Sequence, residues 1–468
     1  MANSTFDLAR SVEKKLKSEK ARLMKLNSPW LITSAIPEAK LLVKLFDIVY
    51  YTSLKTEEGR PVVTRLCLVN PDKPEDSPPP MPRVSRWALI PLADRLPLTV
   101  PALVKIAKAA DPWTSALAVF FDEAAEFYIW GLIDQTVHWN RMLVREGTGY
   151  DPPGLLNVVA NGVADVSAYH ESSFLARLQQ DALIEEQNDV FWHGPVARRL
   201  AGWTKPFRDR IKKRVTPRIY SKEMFGDFSF NDLWIGSLCR ILISIQRYRH
   251  GGAILLTGQN RDLFPHYKVT YGRLPKHLEE IAVQQIRVRQ ARDLLQEIMD
   301  DEEDALPVDT YREEQVAESN VEDLEESLTG TVHFISSLSC VDGLVLMRPD
   351  LTVSGYGVEI RTRRDVDKVR VALSPELDPS GSKVVESNHF GTRHRSMMRY
   401  CFAHPSSLGF VVSQDGDIRA VMRVRNEIVM WDNLKVRSVW FENWASSRAA
   451  KLGRLRTPAK RSDKTLRG

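Results

Sequence analysis

The chain has 468 residues, 43% of them hydrophobic and 27% charged, the composition of a soluble globular protein with room for two or three cores. Its net charge of +5 is small for this length, and much of the excess falls in one basic tail that includes Arg448, Lys451, Arg454, Arg456, Lys460, Arg461, Lys464 and Arg467. The four cysteines (Cys67, Cys239, Cys340 and Cys401) are far apart and form no CxxC pair, which argues against a structural zinc site and a disulfide scaffold and for a reducing compartment.

The N-terminus lacks a basic stretch followed by an apolar run, and no segment is apolar for long enough to span a bilayer. The expected setting is the cytoplasm, without a membrane. Residues 6–26 place apolar and basic residues at helical spacing and predict an amphipathic helix. The prolines of 70–80 predict a loop, because no regular element survives that many. Residues 101–110 read as helix. Segments 116–121 and 126–131 read as two strands joined by an acidic turn, and 156–160 and 162–169 as another pair. These pairs echo a later hairpin at 344–360, which raises a degenerate internal duplication as one reading.

The basic run 198–214 reads as a solvated helix face or linker, with a phosphate-tracking surface as the alternative. An apolar stripe through Leu233, Leu238, Ile241, Leu242 and Ile245 predicts a helix over 230–248. His250-Gly251-Gly252 then reads as a helix stop leading into a strand at 253–257. Residues 276–300 read as a long helix. The acidic segment from Asp300 to about Glu326 reads as solvated surface or linker, and 321–338 as helix again.

Two elements suggest chemistry. Asp342-Gly343-Leu344 sets one carboxylate at the start of an apolar strand, where a buried charge is costly unless paired or on a metal. A second strand over 351–360 closes a hairpin with it. Downstream, Gly391-Thr392-Arg393-His394-Arg395 leads into a helix expected from about Ser396. Backbone amides, a hydroxyl and two guanidiniums there suit an anion. Ser413-Gln414-Asp415 ends a third strand in an acidic turn, with strands at 418–424 and 427–431 to follow. Each motif alone is weak, and Arg393-His394-Arg395 by itself reads as surface charge. Their order and their strand, turn and helix contexts make the set specific.

On these residues, the region from about Glu280 to Trp431 resembles a diadenylate cyclase (DAC) domain. That family's signatures are Asp-Gly-Ala, matched at 342–344 with Leu in place of Ala, and Gly-Thr-Arg-His-Arg, matched without change at 391–395. The resemblance implies a mixed sheet flanked by helices and a reaction joining two ATP into cyclic di-AMP with release of pyrophosphate. It implies a homo-oligomer in which two domains face each other. Asp342 would hold a divalent metal, Mg²⁺ or Mn²⁺, and help to activate the attacking 3′-hydroxyl. Gly343 and Leu344 would line the adenosine pocket, and Thr392, Arg393, His394 and Arg395 would hold the triphosphate. Ser413 would contact phosphate, and Asp415 would be a second metal ligand. The whole chain is similar to bacterial signalling proteins in which a sensor domain precedes the cyclase.

The expectation is therefore an α/β protein in three parts. Residues 1–270 form an N-terminal α/β sensor region for an unknown ligand, 271–442 the diadenylate cyclase-like catalytic domain, and 443–468 a basic, disordered tail. Two alternatives stand beside the enzyme. One is a nucleotide-binding signalling module impaired in catalysis by Leu344. The other is a DNA-binding regulator that uses the 198–214 run and the tail for nucleic acid.

Overall fold

The computed structural model describes residues 3–25, 36–72, 88–110, 115–134, 155–170, 173–215, 230–300, 308–362, 364–377, 382–414 and 416–436. The Pro-rich segment past Asp72, most of the 378–382 loop, Asp415 and the basic tail lie outside the described residues. The chain forms two compact α/β units, Met1–Asp189 with Trp431–Lys435, and the remainder from Val190.

The first unit opens with α1 (Thr5–Lys25) and α2 (Ala39–Ser53). Ser4 starts α1, with the Asp7 carboxylate accepting from its backbone N–H and its hydroxyl at 2.8 Å each, which occupies donors at the helix start. A short hairpin, β1 (Thr56–Glu57) and β2 (Arg60–Pro61), precedes β3 (Thr64–Leu68) and β4 (Ala88–Pro97). Then come α3 (Val100–Ile106), β5 (Ser115–Phe121), β6 (Phe127–Asp134), β7 (Leu156–Gly162), β8 (Asp165–His170), β9 (Ser173–Gln179) and β10 (Ala182–Ile184). Eight of these strands form one sheet in the order β10-β9-β8-β7-β3-β5-β6-β4. The alternate residues Leu66, Leu117, Val158 and Val166 meet Leu8, Val12, Leu42 and Phe46 of the two helices. Each such side chain, fully buried, contributes about 1.5–3 kcal/mol.

The second unit begins with α4 (Gly194–Arg214), α5 (Phe230–Tyr248), β11 (Gly252–Leu256) and β12 (Leu263–Tyr271). A helical hairpin, α6 (Arg273–Asp300) and α7 (Val308–Ser337), leads to β13 (Leu344–Met347) and β14 (Val353–Ile360). The chain continues through β15 (Lys368–Ala372), β16 (Ser382–Glu386), α8 (Thr392–Ala403), β17 (Leu408–Val412), β18 (Ile418–Val424) and β19 (Glu427–Trp431). The sheet order is β12-β14-β13-β11-β17-β18-β19-β15-β16. β11 runs parallel to β13 and antiparallel to β17, so the start of β11, the start of β13 and the end of β17 meet at one edge.

Several expectations need adjustment. The compact units divide at Asp189, not at 270, and the strand after His250-Gly251-Gly252 is central to the second sheet. The acidic stretch is helical from Val308, not a linker: Glu314 and Glu318 pair with Arg292 of α6 at 2.6 and 2.7 Å. The basic run 198–214 lies on α4, which buries Val196, Leu200, Phe207 and Ile211 and pairs Arg210 and Arg214 with Glu279 and Glu280. Among the described residues, no helix is long and apolar enough to cross a membrane.

Candidate functional site

Every described residue of the two motifs belongs to the second unit, and most gather where β11 and β13 begin and β17 ends. A turn at Leu338–Cys340 precedes Asp342, and the strand itself starts only at Leu344. The Asp342 carboxylate is therefore not buried in a strand. Its side chain is fully exposed, with an Arg393 Nη 3.9 Å away.

Gly343 has φ +109°, and a Cβ there would lie 2.7 Å from the Gly357 carbonyl carbon and the Val358 nitrogen. Glycine is needed for the backbone angle and to let β14 close against the turn. Leu344 is buried opposite Val358, in a core with Ala253, Leu255, Met397 and Met398. Its side chain is part of the core, and the extra carbons relative to Ala are accommodated there.

The Gly391–Arg395 block forms the start of α8, four residues earlier than the sequence suggested. Gly391 is the N-cap and offers no side chain, while its carbonyl accepts from the Arg395 N–H at 3.1 Å. The first N–H groups of the helix thus lack a capping side chain and have no intrahelical partner. Thr392 is exposed and Arg393 half-buried. The Arg393 guanidinium lies against Gly251, where a Cβ would come within 3.0 Å of Nη1. Gly251 itself has φ +72°. Arg395 is half-buried, and its Nε is shielded from solvent without a hydrogen-bond partner.

His394 differs from its neighbours. It is buried, and its Nε2 accepts from an Arg419 N–H at 3.1 Å. Burial, then Arg419 and Arg393, push its pKa down to about 4, with Asp417 opposing. It is a neutral acceptor that positions Arg419, not a cation facing a ligand.

Ser413 is half-buried in the β17–β18 turn. Its Oγ accepts from the Asp417 N–H at 3.0 Å, and its own N–H donates to the Asp417 carbonyl at 2.8 Å. Gln246 of α5 donates to the Gly416 carbonyl and ties the same turn to the helix. Sequence reasoning missed Arg419, Asp417 and Gln246, and took Gly251 only as a helix stop. The two arginines of the strand Ile418–Val424, Arg419 and Arg423, were the available signal.

Among the described residues, no three His, Cys, Asp or Glu side chains come together as a metal cage. The exposed Asp342 carboxylate fits a cation of the Mg²⁺ type, which takes one or two carboxylates and completes its shell with water and substrate phosphates. The arrangement is thus an open sheet edge with one carboxylate, an uncapped helix N-terminus and an arginine between them.

Residues 32–134 match the family model described as "Probable sensor domain DACNV". The match lies within the first unit and agrees with the reading of the N-terminal region as a sensor. No curated protein matches the chain.

Proposed function

We propose that the second unit is a diadenylate cyclase domain, converting two ATP into cyclic di-AMP and two pyrophosphates under control of the N-terminal sensor. The observation that carries this reading is the meeting of Asp342 and the first turn of α8 at one sheet edge, with Arg393 reaching to 3.9 Å of the carboxylate. Two motifs distant in sequence come together, which supports reading them as one site. The sensor match adds support, since the resemblance is to proteins in which such a domain precedes a cyclase.

The exposed α8 amides, the Thr392 hydroxyl and Arg393 bind the triphosphate, with charge-assisted hydrogen bonds as the main attraction. Arg419, oriented by His394 and paired with Asp417 at 3.5 Å, lies beneath the first turn. Ser413 shapes the facing turn. A divalent cation held by Asp342 would neutralise charge on the phosphates. Each 3′-hydroxyl attacks the α-phosphorus of the facing ATP, one P–O bond forms, and the bond to pyrophosphate breaks. Such a reaction needs positioning and charge neutralisation more than covalent help.

The burial of the Leu344 side chain in the core supports the active over the catalytically impaired reading. The pairing of Arg210 and Arg214 with glutamates lowers the charge that α4 could offer a nucleic acid. Purified full chain incubated with ATP and Mg²⁺ or Mn²⁺ is expected to form cyclic di-AMP, detected by chromatography against a standard. No product with either metal across a range of chain concentrations would overturn the assignment.

A further inference from the structure

Seven strands of one sheet correspond to seven of the other, with β10 of the first and β15 and β16 of the second outside the match. Outward from β3, the first has antiparallel β7 and then β8 and β9 on one side, and parallel β5, β6 and β4 on the other. Outward from β11, the second has antiparallel β17, then β18 and β19, and parallel β13, β14 and β12. The registers coincide as well. Leu66 lies between Leu117 and Val158, and Ile254 lies between Val345 and Phe410. Ala160 faces Val166 across the next hairpin, as Val412 faces Ile418. The same order, directions and register around a central strand make the first unit a second copy of the second unit's fold.

The correspondence can be followed by position. Ala253, Gly409, Ser413, Asp417, Arg419 and Val421 of the second unit answer to Arg65, Asn157, Asn161, Asp165, Ser167 and Tyr169 of the first. In the second unit Gly409 has no Cβ, so Met397 of α8 lies directly on the sheet. In the first unit the Asn157 side chain stands at that position and is wholly buried. Towards β8 and β9 that face is polar, while Cys67, Ala116, Ala118, Trp130 and Leu155 form an apolar cluster on its other side. Arg177 donates to both Asp165 oxygens at 2.7 and 2.6 Å, and Asn161 donates to Asp165 at 3.2 Å and to Ser167 at 2.7 Å. Burial pushes the Tyr169 phenol up, while Arg177, a hydrogen bond with Ser167 and then Arg65 oppose, so the hydroxyl lies among the polar groups of this face.

Asn157 shows what this face lacks. It is wholly buried, its amide N–H₂ donates to the Leu155 carbonyl at 3.3 Å, and its Oδ1 has no hydrogen-bond partner. An unmet buried acceptor costs about 1–3 kcal/mol, which a donor from a bound group would relieve. An amine of a bound base is such a donor.

We propose that the N-terminal unit holds a regulatory adenine nucleotide on this rebuilt sheet face, with Asn157 accepting from the base and the Tyr169 hydroxyl among the contacts. The inference rests on the reading of the second unit as an ATP site, because the ligand class follows from the shared fold. Equilibrium dialysis of the full chain with α,β-methylene ATP, which cannot release pyrophosphate, tests it. Two equivalents per chain are expected. Arg393→Ala leaves one, and adding Asn157→Leu removes that one. Should Asn157→Leu fail to fold by circular dichroism, Tyr169→Phe in the Arg393→Ala background is expected to weaken the remaining site about tenfold, the effect of one lost hydrogen bond. One equivalent that survives Arg393→Ala and is lost in Asn157→Leu keeps this inference and overturns the second-unit site. One equivalent lost in Arg393→Ala overturns the inference, an unchanged affinity in Tyr169→Phe counts against it in the same way, and no binding overturns both.

Discussion

His394 shows how one buried side chain couples the candidate site to pH. Its pKa of about 4 in the folded chain compares with about 6.5 for an ordinary imidazole. Between these values the unfolded chain carries a proton that the folded chain does not, so stability rises with pH across that window. The contribution is complete above about pH 6.5 and is lost as the pH falls towards 4, a change of about 3 kcal/mol at most. His394→Gln keeps an acceptor for Arg419 and removes the titration. The denaturation midpoint of that variant is expected to vary less between pH 4 and 6.5, and an unaltered pH profile would refute the buried neutral state. Asp342 is the opposite case, because its side chain is exposed and supports no packing. Asp342→Asn is expected to leave the melting temperature unchanged while lowering turnover about a hundredfold or more, comparable to removing one group that stabilises a transition state. Full activity in that variant would remove Asp342 from the chemistry. Gly343→Ala should instead cost stability, about 1–3 kcal/mol, since φ +109° strains any side chain and Gly357 occupies the space. A denaturation midpoint equal to that of the parent would show that the turn can relax.

At the scale of elements, α8 is held on its sheet by the Met397–Gly409 contact, where a side chain on the strand would push the helix away. Gly409→Val is expected to destabilise the second unit by about 1–3 kcal/mol, the usual cost of overpacking. It should also lower ATP affinity, because the first turn of α8 moves with the helix. An unchanged affinity in calorimetry would uncouple that turn from the core. Cys401 lies in the same core, and burial pushes its thiol up to about 12. Cys67 and Cys239 are also buried, whereas Cys340 is exposed beside Asp342. A thiol reagent should therefore modify one of the four cysteines in the native chain and all four after denaturation. Strongly patterned elements were legible in the sequence: α5 carries an apolar stripe at helical spacing, and β17 is a short apolar run bounded by turn residues. Other elements were not. β12 and β16 show mostly exposed residues and lack a buried alternation, while α7 hides its narrow apolar face among glutamates that pair with Arg292. The start of α8 was misplaced because Thr392–Arg395 looked like loop chemistry, although nothing in those residues breaks a helix.

For the whole molecule, the motifs that name the candidate site could be read from residues alone, but the unit that contains them could not. β11 follows α5 directly and looks like any short apolar strand. Only its long-range pairing with β13 and β17 shows that it centres the second sheet, and such pairing leaves little local trace. The repeated topology was legible only in the echo of 116–131 at 344–360, while the pair 156–169 answers to β17 and β18 instead, because Arg65, Asn157 and Tyr169 stand where the second unit has Ala253, Gly409 and Val421. The proposed reaction makes a final demand at this scale. In that reaction one second unit would hold one ATP, and cyclic di-AMP needs two bonds formed between two facing nucleotides, so two chains would have to meet. Specific activity is then expected to fall on dilution over about two orders of magnitude, as mass action separates the chains. Constant activity together with a monomeric sedimentation mass would sink the two-chain requirement. Mixing wild-type chains with excess Asp342→Asn chains sharpens the test. A mixed pair has one competent carboxylate and can form one phosphodiester bond, so the linear dinucleotide should accumulate in place of the cyclic product. If cyclic product forms in proportion to wild-type chain alone, the two sites do not depend on each other across a chain interface.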